Sequence, residues 1–309
     1  MKVVVTGGAG FIGANLCRVL SGHDEIDDIV ALDNLSTGFR SNLDGIDARL
    51  VEGDMLDEAT LDACFEGAAS VVHLGAVPSV PRSVVDPVAS HDANATGTVR
   101  VLEAARRAGN IGVVVASSSS VYGANPTLPK HEDLATRPLS PYAASKLAAE
   151  SYTIAYGSTY GLPTLAFRFF NVFGPLQAAG HAYAAVVPAF VSAALAGEPV
   201  TIHGDGLQSR DFTFVDTVAT IITQAVIGRV SSPDPVNLAY GSRTNLLEVV
   251  DILEGIVGHP IERTHVETRV GDVKHSQAAN DRLRALFPDV VPVELTEGLQ
   301  RTVDWFRSL

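Results

Sequence analysis

Near its start the chain passes from a β-branched strand, Val3-Val4-Val5-Thr6, through a glycine-rich turn into a helical run beginning Ala14-Asn15-Leu16. That turn, Gly7-Gly8-Ala9-Gly10-Phe11-Ile12-Gly13, constrains the fold more than any other feature of the sequence. Glycine is needed where so tight a junction bends, where its backbone approaches a bound group, and where helix packs on strand. The helix N-terminus then presents free N–H groups to a pyrophosphate. Taken alone, the glycines also suit an ordinary strand-to-helix turn. The next strand, however, ends in Val30-Ala31-Leu32-Asp33, 20 positions beyond Gly13, where a dinucleotide fold places the acid that bonds the adenosine ribose. Asp33 favours NAD over NADP, whose 2′-phosphate it would repel. Its competing reading is a cap for the Asn34-Leu35-Ser36 turn. Asp54 and Met55, after a third strand, are spaced either to flank the adenine or merely to end that strand.

Short apolar runs at 3–6, 29–33, 49–52, 70–74, 112–117 and 164–168 alternate with helical patterns at 94–108 and 141–156. Continuous apolar strands separated by helices predict a parallel sheet covered on both faces. The fold class is therefore α/β, a Rossmann-type doubly wound sheet followed by a smaller mixed α/β lobe. With 309 residues, 46% of them hydrophobic, the chain has length for about two such units. The expected division is a NAD-binding domain over 1–168, with 211–240 returning to it, and an interleaved substrate lobe over 169–309. Helices are expected at 245–257 and 296–306. The uncharged stretch 182–197 is too short to span a membrane and reads as a buried helix.

Ser140-Pro141-Tyr142-Ala143-Ala144-Ser145-Lys146 reads as an N-cap, a proline at the first helical position and good helix formers. Tyr142 and Lys146 share one helix face. A nearby ammonium favours the phenolate and lowers a tyrosine pKa, which makes the pair a usable base. An isolated pair at this spacing is more often a buried Tyr and a surface Lys. The strand ending in Ser117-Ser118-Ser119-Ser120 changes the balance, because it brings hydroxyls to the carboxyl edge where α/β sheets bind ligands.

The three elements, TGGAGFIG, SSSSVYG and SPYAASK, resemble those of the extended short-chain dehydrogenase/reductase family, and within it the nucleotide-sugar epimerases and dehydratases. The resemblance continues through Arg168-Phe169-Phe170-Asn171, Arg210-Asp211-Phe212 and Arg269-Val270-Gly271-Asp272. It implies Tyr142 as general base, Lys146 on the nicotinamide ribose and Ser118 on the reacting hydroxyl. It also implies Asn171, Arg210 and Arg269 on a nucleoside diphosphate. The expected cofactor contacts are Gly7, Gly10, Phe11, Ile12, Gly13, Asp33, Asn34, Asp54, Met55, Leu74, Ala76, Asn94, Tyr142, Lys146 and Phe169. Those expected for a UDP-sugar are Ser79, Ser118, Ser119, Ser120, Tyr142, Asn171, Gln177, Ala185, Val186, Val187, Arg210, Arg269, Asp272 and Ser276.

All such enzymes begin by oxidising the sugar at C4. Dehydratases of the family carry Asp-Glu after the catalytic hydroxyl residue, and decarboxylases keep a Glu, where this chain has Ser119 and Ser120. C4 epimerisation is the reaction left. Epimerases restricted to unacetylated sugars close the pocket with a Tyr where this chain has Ser276, so UDP-N-acetylglucosamine is expected beside UDP-glucose. Against a glucuronate epimerase, Asn171 replaces a usual Thr, and residues 176–182 lack the arginine expected for the carboxylate. A catalytically silent NAD sensor would keep the fold, but such relatives lose Tyr142 or Lys146. The family's usual homodimer pairs the helices at 94–108 and 141–160.

The net charge of −13 argues against a nucleic-acid backbone or an anionic membrane as main partner. Two cysteines, Cys17 and Cys64, are too few for a disulfide framework or a four-ligand zinc site. The nine histidines show no metal spacing, and His73 reads as packing or cofactor-adjacent. No leader pattern is visible before the first strand, so a cytoplasmic location is expected.

Overall fold

The computed structural model describes residues 1–179, 185–268 and 274–309. Its first half alternates strand and helix: β1 (Lys2–Thr6), α1 (Phe11–Leu20), β2 (Asp28–Asp33), β3 (Arg49–Glu52), α2 (Glu58–Phe65), β4 (Ser70–His73). There follow α3 (Val80–Val85), α4 (Pro87–His91), α5 (Gly97–Arg107), β5 (Gly112–Ser118), α6 (Pro141–Tyr160) and β6 (Thr164–Phe169). The second half begins with β7 (Asn171–Phe173), α7 (Val186–Ala196), β8 (Val200–His203), β9 (Ser209–Arg210), β10 (Phe212–Phe214) and α8 (Val215–Ile227). It ends with β11 (Val236–Leu238), β12 (Thr244–Asn245), α9 (Leu246–Val257), β13 (Arg263–Val266), α10 (Asp281–Leu286) and α11 (Leu295–Arg307).

Seven strands form one parallel sheet in the order β11-β6-β5-β4-β1-β2-β3, a Rossmann-type arrangement. The order reverses between β1 and β4, and a ligand crevice opens beyond the carboxyl ends of strands at such a point. On one face Leu16, Leu20, Ile221 and Ile222 of α1 and α8 pack against Val3, Val5 and Leu165. On the other, Leu61, Phe65, Val101 and Leu102 cover Val4, Val71 and Val113. A separate core gathers Phe173, Phe190, Val191, Leu253 and Leu299 from α7, α9, α11 and β7. The return of α8 and β11 to the main sheet ties the second half of the chain into the first.

Two elements differ from the sequence pattern. The helix expected from Asn94 is α5 starting at Gly97, preceded by a π-helical turn at Asp92–Thr96 that continues α4. Periodicity does not register one inserted residue. Here Thr98 Oγ1 donates to the Asn94 carbonyl at 2.6 Å, and the Asn94 side chain leaves the helix to bond Val77. The buried helix expected over 182–197 is α7, which ends at a left-handed Gly197 with φ 70°. The two- and three-residue strands of the second half have no readable alternation.

Candidate active site

β1 ends at Thr6 and α1 starts at Phe11, so the glycine turn lies at the sheet's carboxyl edge. Gly7 has φ +70°, and a Cβ there would sit 2.8 Å from the Gly75 nitrogen. A Cβ on Gly13 would meet the Gly7 carbonyl at 2.1 Å. Both glycines are therefore required by close backbone approach. Asp33, at the end of β2, accepts from the Ala9 N–H at 3.0 Å and from the Leu35 N–H at 2.8 Å. It both caps the following turn and braces the glycine turn, and it lines the crevice as well.

That crevice is a cavity of about 610 Å³. One end is walled by Gly7, Gly10, Phe11, Ile12, Gly13, Asp33, Asn34 and Met55, the middle by Leu74, Ala76, Ser118, Tyr142, Lys146 and Phe169, and the far end by Ser79, Gln177 and Ala185. The cradle formed by two glycines that admit no side chain, with an acid at the end of β2, has the chemistry to hold an adenine dinucleotide.

Ser118 closes β5, and its Oγ accepts from the Ser120 N–H at 3.2 Å and the Ser120 hydroxyl at 2.9 Å. Ser140 caps α6, accepting from the Ala143 N–H at 3.1 Å, which sets Tyr142 one residue past Pro141. Burial pushes the Tyr142 phenol above its ordinary 10, against a Ser118 hydrogen bond that lowers it. Lys146 does not supply the expected lowering. Its buried Nζ donates to the Ala116 carbonyl at 2.9 Å, and its own pKa is pushed down to about 8 by burial.

A buried polar chain braces this centre. Thr98 spends its proton on the Asn94 carbonyl, so its oxygen accepts from His73 Nε2 at 3.0 Å. His73 Nδ1 is then the acceptor for the Thr6 hydroxyl at 2.7 Å, while Thr6 Oγ1 accepts from the Gly75 N–H at 3.2 Å. This chain fixes a neutral imidazole, and burial drives the His73 pKa down to about 3. Asn94 accepts from the Val77 N–H at 2.8 Å and donates to Ser145 at 3.0 Å, and Ser145 donates to the Tyr142 carbonyl at 2.8 Å. Behind β5, Ser117 donates to Glu150 at 2.7 Å, and Glu150 pairs with the equally buried Arg168 at 2.6 Å.

The model of the NAD dependent epimerase/dehydratase family matches residues 3–239. The chain belongs to this family. It is 39% identical to a UDP-glucose 4-epimerase of Mycolicibacterium smegmatis, covering 100% of this chain and 99% of that one. It is similar to the solved UDP-N-acetylglucosamine 4-epimerase of Methanobrevibacter ruminantium in complex with UDP-N-acetylmuramic acid, with TM-score 0.93, 36% identity, and 99% and 98% of the chains covered. The UDP-glucose 4-epimerase of Thermus thermophilus in complex with NAD superposes with TM-score 0.89 at 34% identity over 99% of each chain. NAD is thus the cofactor of this epimerase/dehydratase family member, as Asp33 and the glycine turn indicated. No helix among the described residues is long and apolar enough to cross a membrane.

Some residues expected at the site stand behind it. Asn94 does not line the cavity but braces Val77, and Asp54 caps Leu56 at 2.8 Å and receives Asn34 Nδ2 at 3.1 Å. Ser119 and Ser120 turn into a short 3-10 helix, and Asn171 sits on β7 beside the lining residues Phe170 and Val172. Of α7's first turn only its cap, Ala185, reaches the cavity, while Val187 is core. Arg210 and Ser276 are not among the described residues that line it; the Ser276 N–H donates to the Ser209 carbonyl at 3.0 Å, next to Arg210. Arg269 and Asp272 lie outside the described residues. The cavity also has walls the sequence did not single out: Phe39 and Asn42 at the adenine end, and Val77 and Pro78 at the far end. Arg82, which also lines the cavity, lies in the run Ser79-Val80-Pro81-Arg82-Ser83, which is similar to that of epimerases acting on UDP-N-acetylhexosamines.

Proposed function

We propose that the protein catalyses NAD-dependent C4 epimerisation of UDP-hexoses, interconverting UDP-glucose with UDP-galactose and UDP-N-acetylglucosamine with UDP-N-acetylgalactosamine. The observation that carries this reading is a Ser118–Tyr142 pair whose neighbours are the hydroxyls of Ser119 and Ser120. Neither serine can act as the carboxylate that eliminating water or CO₂ would need. The Gly7–Gly13 turn would hold the NAD pyrophosphate, Asp33 the adenosine ribose and Lys146 the nicotinamide ribose. When bound, NAD supplies a hydride acceptor that later returns the hydride, so the cycle has no net redox change.

The chain's own residues manage the proton. Ser118 Oγ holds the sugar's 4-hydroxyl while Tyr142 Oη takes its proton, and the same tyrosine gives it back once the 4-keto sugar has turned over. Lys146, with a pKa near 8, still carries charge at neutral pH and is held on the Ala116 carbonyl, so the Ser118 hydrogen bond is what favours the phenolate. Arg210, with Arg269, would grip the diphosphate by bidentate forks. Gln177 supports the acetylated substrates: its Nε2 donates to the Val172 carbonyl at 3.3 Å, leaving Oε1 buried with no partner among the described residues. That oxygen suits an acetamide N–H. A homodimer through α5 and α6 is supported by Tyr152 and Tyr160, exposed on α6.

Incubation of the purified protein with UDP-glucose and with UDP-N-acetylglucosamine, read by NMR of the products, tests the reading. Galacto products from both are expected, and none from either would end it. Ser276→Tyr should remove only the acetylated activity, whereas equal loss of both would place position 276 outside the sugar pocket.

A further inference from the structure

One face of α6 carries three polar side chains at a spacing of four: Tyr142, Lys146 and Glu150. Each meets one of the last residues of β5. Tyr142 hydrogen-bonds Ser118, Lys146 Nζ donates to the Ala116 carbonyl at 2.9 Å, and Glu150 Oε2 accepts from the Ser117 hydroxyl at 2.7 Å. The first two belong to the site already described. Glu150 stands behind it, buried, with no part yet in the chemistry.

Its carboxylate is held in one placement. Arg168 of β6 lies opposite Ser117 in the strand register, and its fork takes both carboxylate oxygens, Nε to Oε2 at 2.9 Å and Nη2 to Oε1 at 2.6 Å. The third nitrogen, Nη1, donates to the Glu132 carbonyl at 3.1 Å, and the guanidinium carbon sits 4.7 Å from the centre of the Tyr122 ring. Withdrawing two charges from water costs about what their pairing returns, so apolar side chains of similar volume would serve stability as well. What the pair adds is direction. A bidentate fork admits one orientation of the carboxylate, and that carboxylate in turn fixes the Ser117 hydroxyl at the end of β5.

Resting on the epimerase reading, we propose that Glu150 is a positioning residue for the proton transfer: clamped by Arg168, it holds Ser117 and so sets the adjacent Ser118 Oγ against the Tyr142 hydroxyl. Its influence passes through the Ser118 hydrogen bond, which lowers the Tyr142 pKa against the effect of burial.

The test uses Ser117→Ala, which leaves the ion pair intact, and the double variant Glu150→Leu/Arg168→Met, which removes both charges at once. Melting temperature, bound NAD, and kcat and KM for UDP-glucose are measured on the NAD-loaded proteins. The Tyr142 pKa is read from tyrosinate absorbance, as the difference between each protein and its Tyr142→Phe counterpart. The double variant should melt no lower than wild type and keep its NAD and KM, yet lose about 10- to 100-fold in kcat. Ser117→Ala should lose about 10-fold in kcat with the same pattern. In both, the Tyr142 pKa should rise by about 1, the worth of one weakened hydrogen bond to a charged oxygen. Asp33, Lys146 and Arg82, the other charged groups among the described residues lining the cavity, are unchanged in both. Wild-type kcat with an unmoved Tyr142 pKa would overturn the inference and leave Glu150 a structural ion-pair partner only. A double variant that fails to fold leaves Ser117→Ala to decide by the same two readings. The pKa reading needs no substrate, so a wild type inactive on UDP-glucose would overturn the epimerase reading while the Tyr142 pKa still decides the role of Glu150.

Discussion

Replacing Lys146 by methionine should stabilise the fold while removing activity. Lys146 is 6% exposed, and among the described residues its ammonium has one hydrogen-bond partner, the Ala116 carbonyl at 2.9 Å. Burial moves its pKa from 10.5 to about 8. A displacement of that size corresponds to about 3 kcal/mol by which the charged form is disfavoured in the folded state. Methionine is similarly unbranched and uncharged, so it lifts that cost and gives back about 1 kcal/mol for the carbonyl left unpaired. The expected net gain is about 2 kcal/mol at pH 7. Urea unfolding followed by circular dichroism reads it directly. The pH dependence supplies an internal check. Because the folded pKa lies below the unfolded one, the unfolded chain binds more protons between about pH 8 and 10.5, and wild-type stability gains from this residue across that window. The methionine variant lacks that contribution, so its advantage should shrink as pH rises through the window. A variant less stable than wild type at pH 7, or an advantage independent of pH from 8 to 10.5, would refute the reasoning.

Tyr142→Phe should lower kcat by about 10²- to 10⁴-fold with little change in bound NAD, measured by turnover and by absorbance of the nucleotide released on denaturation. His73, neutral and buried with a pKa of about 3, takes up no proton in the folded state between its ordinary 6.5 and about 3, whereas the unfolded chain does. It should therefore cost stability as pH falls below 6.5, by about 1.4 kcal/mol per pH unit, and His73→Gln should flatten that slope in thermal melts. Gly13→Ala places a Cβ 2.1 Å from the Gly7 carbonyl, so the turn must open and the purified variant should lose its NAD.

The sequence was most legible where one chemical requirement repeats at fixed spacing. The strands of the first half lie within a residue of prediction: those inside the sheet are buried on both faces and so continuously apolar, while the half-exposed edge strand β3 is marked only by Leu50 and Val51. The glycine turn, Asp33, Ser118, Tyr142 and Lys146 meet in one cavity because each sits at a carboxyl end of a strand or on the first two turns of a capped helix. What escaped was set by tertiary contact. Asn94 reads as a polar helix residue that could face a ligand, yet its amide is used to brace Val77 and Ser145. Lys146 was expected to act on the phenol beside it, but the Ala116 carbonyl is closer to hand than any i,i+4 argument shows. Arg82 lies in the Ser79–Ser83 run that the sequence offered, on a six-residue helix, and only the folded chain shows that it joins the cavity wall.

In the proposed reaction a hydride leaves C4 of the sugar and returns to C4 of the same molecule, with Tyr142 handling only the proton. UDP-glucose deuterated at C4, incubated with the protein in ordinary water, tests it most directly. The expected result is UDP-galactose that keeps its deuterium at C4, with no deuterium gained when unlabelled UDP-glucose is converted in deuterated water. Loss of the label to solvent, or its appearance at another carbon, would contradict it.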